Sequence, residues 1–247
     1  RFNPQDLTNT TWGFCKVAYV SVPAMDALAR AGMRNPHSFK AIHYANFFYS
    51  FAMLRLRGPE GFLTTMADSA QKKIHTFDSG NLAIAVWALA QLKMRHPLVE
   101  EALERVLKPS VCAGLGSRAL SMLFLAFLRL GRPADVDRVA AAARESGATI
   151  GASGYSALVM SGEQGPDADR ELRILQGMAA EAGDDRMRAA IGNSAAVRLA
   201  KRNRLAEALQ HLETMRAEGG RCCTSVTAAL HARLTRALYG AEAAAAL

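Results

Sequence analysis

The chain has 247 residues, 50% of them hydrophobic, with 30 Lys plus Arg against 22 Asp plus Glu, a net charge of +8 and a pI near 9.6. That apolar content is enough to bury a continuous core and argues against disorder, and the length fits one large domain or two smaller ones. The positive balance points to an acidic partner such as nucleic acid or an anionic surface, although a soluble basic protein that touches neither has the same composition.

In chain order, the first amphipathic segment is "DLTNTTWGFCKV" at 6–17, which concentrates Leu7, Trp12, Phe14 and Val17 in a few turns. With Trp12 as anchor, the same slot falls on Tyr49 in "YANFFYSFAML", on Trp87 in "LAIAVWALAQL" and on Leu125 in "LSMLFLAFLRL", at steps of 37, 38 and 38 residues. Two residues after each anchor come Phe14, Phe51, Leu89 and Phe127, and five before it come Leu7, Tyr44, Leu82 and Leu120. Pro23, Pro59, Pro97 and Pro133 stand where a second helix should begin, because proline suits a first helical turn and not an interior. A second-helix column continues through "VDRVAAAARESG" (136–147), "ELRILQGMAAEAG" (171–183) and "ALQHLETMRAEGG" (208–220), aligning Val136, Leu172 and Leu209, then Val139, Leu175 and Leu212. Gly32, Gly147, Gly183, Gly219 and Gly220 are placed to close second helices in the left-handed conformation. Alternating β-branched runs are nearly absent.

The expected fold is all-α: an α-solenoid superhelix of about six antiparallel helical hairpins, with a period of 37–38 residues and a last helix near 224–239. One such hairpin cannot bury its apolar face alone. Trp12, Tyr49, Trp87 and Leu125 are therefore expected to stack in one buried column between repeats rather than to hold a ligand.

Cys15, Cys112, Cys222 and Cys223 form no C-x-x-C pair and have no histidine at ligand spacing, so no metal site is expected and the thiols read as small apolar residues in a reducing compartment. The longest apolar run, "ALSMLFLAFL" at 119–128, is far short of the roughly 20 residues that span a bilayer. His37, His43, His75, His96, His211 and His231 are scattered without a nucleophile or carboxylate at recurring spacing, and no phosphate-binding, zincin or hydrolase motif is present. No catalytic residue, no cofactor and no enzymatic activity is expected.

"LTNTTWGFCKV" and "LAIAVWALAQL" resemble the first-helix signature of octotricopeptide repeats, also found in organellar proteins bearing a RAP domain, and the resemblance covers residues 1–146. Residues 147–240 are similar instead to pentatricopeptide repeats, through "GNSAAVRLAKRNRLAEALQHLETMRAEGG" at 192–220, although Asn203 stands where that family usually has Gly. An Ala-rich tail follows at 241–247. Both families are best known as RNA-binding solenoids. The resemblance implies an organellar protein, of mitochondrion or plastid, acting in transcript or rRNA processing, stability or translation. Some relatives keep the scaffold and serve as non-catalytic subunits of large assemblies such as ribosomes or membrane complexes, so protein partners are the alternative.

Independently of any resemblance, cations recur where first helices should end: Arg55 and Arg57, Lys93 and Arg95, Arg129 and Arg132, then Lys201, Arg202 and Arg204. Stacked in register, they would line one edge for a phosphate backbone. The same residues would also offset the helix dipole and bond the last carbonyls. Candidate base readers are the polar first-helix residues. In the pentatricopeptide scheme Asn193 matches the reading position, and Ser156 falls one step of 37 earlier; Asn9 and Asn46 share a column that Ile84 and Met122 then break. RNA and protein subunits are the expected partners. No DNA partner and no membrane span are expected.

Overall fold

Local sequence accounts for where the helices start. Pro4 occupies the first position of α1 (Pro4–Lys16), and before it the Asn3 side chain accepts from the Asp6 N–H at 2.9 Å while the Asp6 carboxylate accepts from the Asn3 N–H at 3.0 Å. These reciprocal bonds satisfy two donors that a bare helix end leaves open. Pro97 and Pro133 likewise open α6 (Pro97–Val106) and α9 (Pro133–Glu145), and Pro23 stands at the second position of α2 (Val22–Met33). Pro59 lies further out, three residues before α4 (Phe62–Gln71), whose entry is made by Gly61 with φ 74°. At the start of α3 (Ala41–Met53), His43 Nδ1 accepts from the Lys40 N–H at 3.2 Å. Burial, with help from Lys40, holds the imidazole below its ordinary pKa and keeps that lone pair available. Asp78 caps α5 (Ser79–Gln91) by accepting from the Asn81 N–H at 2.7 Å.

The computed structural model describes residues 2–162, 177, 181, 182, 185–201, 204–217 and 225–239. Among them every regular element is helical, and no helix is long and apolar enough to cross a membrane. Two compact units emerge, residues 1–157 and 158–247.

In the first unit, α1, α3, α5 and α8 (Ser117–Arg129) each have 13 residues. Each packs on the next of the four, while α2, α4, α6 and α9 form a second row, each on its successor and against the helix before it. The core between the rows is aromatic. Phe47 meets Phe51 and Phe62 edge to face, with centroids 5.4 and 5.3 Å away, and all three are fully buried. Such pairs add about 0.5–1.5 kcal/mol each beyond the area they bury.

Polar stitches recur between neighbours. Lys73 Nζ donates to the carbonyls of His37 (2.6 Å) and Phe39 (3.1 Å), and Arg105 Nη2 donates to those of His75 (3.0 Å) and Phe77 (3.1 Å). In both cases a cation reaches back to the carbonyls of an earlier turn, the one that leads into α3 for Lys73 and into α5 for Arg105. The short helix α7 (Pro109–Cys112) is held in turn by Ser79 Oγ, which donates to the Val111 carbonyl at 2.8 Å.

Gly32 does not end a helix. It lies inside α2, where an added Cβ would come within 2.9 Å of the Phe47 ring, so its role is close approach. Gly147 does close α9, with φ 74° and an Ala148 N–H that reaches back to the Ala143 carbonyl at 2.8 Å. Gly183, Gly219 and Gly220 lie outside the described residues, as does most of the segment 171–183. Helix α10 (Gly151–Gly162) begins in the first unit.

The second unit contains α11 (Asp185–Lys201), α12 (Leu205–Ala217) and α13 (Ser225–Tyr239), each packed on the other two. Its core is aliphatic: Ala196, Leu199, Ala208, Leu209, Leu212 and Leu234.

Candidate nucleic-acid interface

The first-row helices α1, α3, α5 and α8 end in one way. Ala18 (φ 50°), Arg55 (φ 56°), Lys93 (φ 53°) and Gly131 (φ 72°) all take the left-handed conformation. The next N–H then returns to a carbonyl five residues back: Tyr19 to Phe14 at 3.0 Å, Leu56 to Phe51 at 2.9 Å, Met94 to Leu89 at 2.9 Å and Arg132 to Phe127 at 2.8 Å. This closure satisfies terminal carbonyls, and glycine is its natural occupant. Arg55 and Lys93 adopt it at a penalty of about 1 kcal/mol each, because a Cβ crowds the following carbonyl there. Two of the candidate phosphate ligands are thus also cap residues, which sequence spacing did not separate.

Arg55, Arg57, Lys93, Arg95 and Arg129 are all exposed. None of the five is paired with a carboxylate among the described residues. Arg132 is different: it bonds Glu100 of α6 and, at 2.5 Å, Asp135 at the start of its own helix, and it lies over the Phe127 ring at 5.5 Å. Burial works to lower the Arg132 guanidinium, but its bonds to Glu100 and Asp135 outweigh that and hold it above its ordinary value. Arg204 is half-buried and forks onto Glu207. Both guanidiniums are therefore engaged within the fold. Arg202 and the side chain of Lys201 lie outside the described residues.

Arg95 and Arg132 share a cleft of about 730 Å³ with His96, Glu100 and Gly131. His96 accepts from the Leu98 N–H through Nδ1 at 3.1 Å, so the hydrogen sits on Nε2 and is donated to Asp68 at 3.0 Å. The cleft offers one unpaired guanidinium, that of Arg95, beside a neutralised cluster.

Trp12, Tyr49, Trp87 and Leu125 do not form a buried column. Trp12 is 45% exposed and Leu125 39%, while Tyr49 and Trp87 are half-buried with ring centroids 5.5 Å apart at 33°. The core is taken by Leu7, Tyr44, Leu82 and Leu120 and by Phe51, Leu89 and Phe127. Helical geometry explains the reversal: at about 100° per residue, positions two after and five before an anchor fall within about 20° of each other and nearly opposite the anchor itself. Once those two sets are buried, the anchor must face out.

The same outward stripe carries Asn9, which is exposed, and Asn46, Ile84 and Met122, which are half-buried. Asn193 is not accessible for base reading: it is 9% exposed and its Oδ1 is enclosed with no hydrogen-bond partner. Ser156 lies in α10 with its side chain outside the described residues. Among the described residues no three His, Cys, Asp or Glu side chains are grouped to hold a metal ion. Burial raises the Cys15 thiol above its ordinary value, partly offset by Lys16, and leaves it a poor nucleophile. Cys222 and Cys223 lie outside the described residues. No known family model matches this chain, and no curated protein matches it.

Proposed function

We propose that this chain is a non-catalytic RNA-binding protein built as an α-solenoid of helical repeats, acting on transcripts or rRNA in a mitochondrion or plastid. The repeat reading is supported by helices that begin at Pro4, Ala41, Ser79 and Ser117, keep one length and end in one left-handed cap. The organellar assignment rests on the octotricopeptide and pentatricopeptide resemblances alone. No cofactor or metal takes part in it.

One observation carries RNA: five exposed cations, Arg55, Arg57, Lys93, Arg95 and Arg129, recur at the C-terminal ends of successive helices with no carboxylate among the described residues to neutralise them. A dipole effect alone asks for one cation in the last turn and is worth about 0.3–1 kcal/mol. It does not ask for Arg55, Arg57, Lys93 and Arg95, all of which lie beyond the last residues of α3 and α5. A phosphate backbone running past those ends would meet all five.

The test is a filter-binding titration at two salt concentrations, with the wild type and a variant carrying Arg55→Gln, Arg57→Gln, Lys93→Gln, Arg95→Gln and Arg129→Gln. Affinity should drop for every RNA sequence alike, and the salt slope should flatten by about 0.7 for each single-strand phosphate that is no longer neutralised. An unchanged slope would remove the cation edge from the reading. A second reading, a protein-binding subunit of a large organellar assembly, is favoured by the exposure of Ile42, Met53 and Leu125. It expects the wild type to bind RNA no better than an unrelated basic protein of equal charge.

A further inference from the structure

Phe2, Phe39, Phe77 and Leu115 stand just before α1, α3, α5 and α8, at steps of 37, 38 and 38 residues. Phe39, Phe77 and Leu115 are buried, whereas Phe2 is 64% exposed. The cover comes from the hairpin before. Gly32 of α2 lies against Phe39, where an added Cβ would come within 3.3 Å of the ring, and Tyr44 of α3 stacks on Phe77 with centroids 6.2 Å apart. The far end of α1 repeats the contrast: Val17 (73% exposed) and Tyr19 (58%) hold the places that buried Leu92 and Met94 hold 75 residues later. Between these ends α1 buries Leu7, Thr8 and Thr11, while α3, of equal length, buries eight residues. Thr10, Gly13 and Val17 share one side of α1, and an added Cβ at Gly13 would meet nothing within 4 Å. α1 therefore carries a packing face whose counterparts on α3 and α5 are covered.

We infer that this face, with Val20 and Val22 in the connection to α2, is the contact surface of a symmetric dimer, and that its occupant is the same face of a second copy of this chain. Size supports it. Phe2, Val17, Tyr19, Val20 and Val22 are each exposed by half or more and together offer on the order of 600 Å² of apolar surface, against about 800 Å² per partner in a stable interface. Charge supports a second copy in particular. With +8 on each chain, two copies approach without repulsion only over a surface free of available cations. From Phe2 to Val22 the charges are Asp6, held in the α1 cap, and Lys16, held over the Trp12 ring. A two-fold axis then sets valines against valines, as an isologous contact requires. A phosphate backbone would gain nothing from such a face, so the dimer stands independently of the RNA reading.

The experiment is sedimentation velocity on the full chain, nuclease-treated and free of RNA, up to about 100 μM and at about 0.15 and 0.5 M salt. The 26.6 kDa chain should move to twice that mass as concentration rises, at both salts, because the contact is apolar. Val17→Asp with Val20→Asp should raise the dimer dissociation constant about ten-fold or more, by placing carboxylates against their own copies. Both positions are exposed, so circular dichroism should show the helices intact; if it does not, Val17→Thr with Val20→Thr should weaken the dimer in the same direction. Ile42→Asp, an equally exposed change on α3, should leave the dimer unaltered. A wild type that stays monomeric overturns the inference and leaves a different protein as the occupant. A dimer that survives both valine variants, or that dissociates at the higher salt, places the contact elsewhere. Species that grow beyond a dimer with concentration would replace the two-fold with a head-to-tail contact and overturn it as well.

Discussion

Residues 1–157 hold all ten phenylalanines, both tryptophans and four of the five tyrosines, while residues 158–247 hold Tyr239 alone. The first unit packs its helices with rings that lock edge to face, as Phe47, Phe51 and Phe62 do. The second packs Ala196, Ala208, Leu209 and Leu212, with partly buried Met215 at its margin. Both are helical, but they specify their contacts with different stringency. A ring has few rotamers and a shape that one neighbour fits, whereas leucine and methionine adapt to several. Rings also stand outside the core in both units, Trp12 and Tyr19 in the first and Tyr239 in the second.

The largest expected effects compare the two cores directly. Phe47→Ala should destabilise by about 3–5 kcal/mol, since it opens a cavity among rigid neighbours, and Leu212→Ala by about 2–3 kcal/mol, since aliphatic surroundings collapse more readily. Urea unfolding followed by circular dichroism measures both. Equal losses would mean that the difference in composition carries no difference in rigidity.

A pair of buried glycines sharpens the same contrast. The Cβ of Gly32→Ala would press on the Phe47 and Phe39 rings, and that of Gly192→Ala on the flexible end of Met215. The first should cost about 1–3 kcal/mol through overpacking. In the second, Met215 can swing aside, and the gain in helix propensity of about 1 kcal/mol offsets the residual crowding. Melting temperatures that fall together would break the distinction between ring and aliphatic packing.

The smallest effect has the opposite sign. Arg55→Gly and Lys93→Gly relieve left-handed strain and should each raise stability by about 0.5–1 kcal/mol, provided the flexibility glycine adds to the unfolded chain does not offset it. Gly131, which holds the equivalent position, should lose stability as Gly131→Arg. If Arg55→Gly and Lys93→Gly stabilise the fold while weakening RNA binding, the cations are retained at the expense of stability for what they bind.

Much of this was legible in the linear pattern. The periodicity of apolar residues and the scarcity of β-branched alternation point to helices, and Pro97, Pro133 and Gly147 stand at the helix ends they suggest. The last helix, expected near 224–239, runs Ser225–Tyr239. The outward direction of Trp12 and Trp87 was present in the same pattern, since Leu7 and Phe14 lie nearly opposite Trp12 on the wheel, but bulk alone pointed the other way. What spacing could not supply was pairing across distance. Arg132 looks like any other cation at a helix end until α6 brings Glu100 against it, 32 residues earlier in the chain. Gly32 looks like a helix terminator until Phe47 is seen to need the space.

The sequence by itself determined the helical class, the main helix boundaries of the first unit and the surplus of positive charge, because these follow from local backbone preferences, caps and composition. The tertiary structure decided which face of each helix is buried, which cations are neutralised and which rings remain available. Those outcomes depend on what a neighbouring helix brings within a few ångströms. A residue's own neighbours in the chain fix its backbone, but only a packed partner can remove it from water or satisfy its charge.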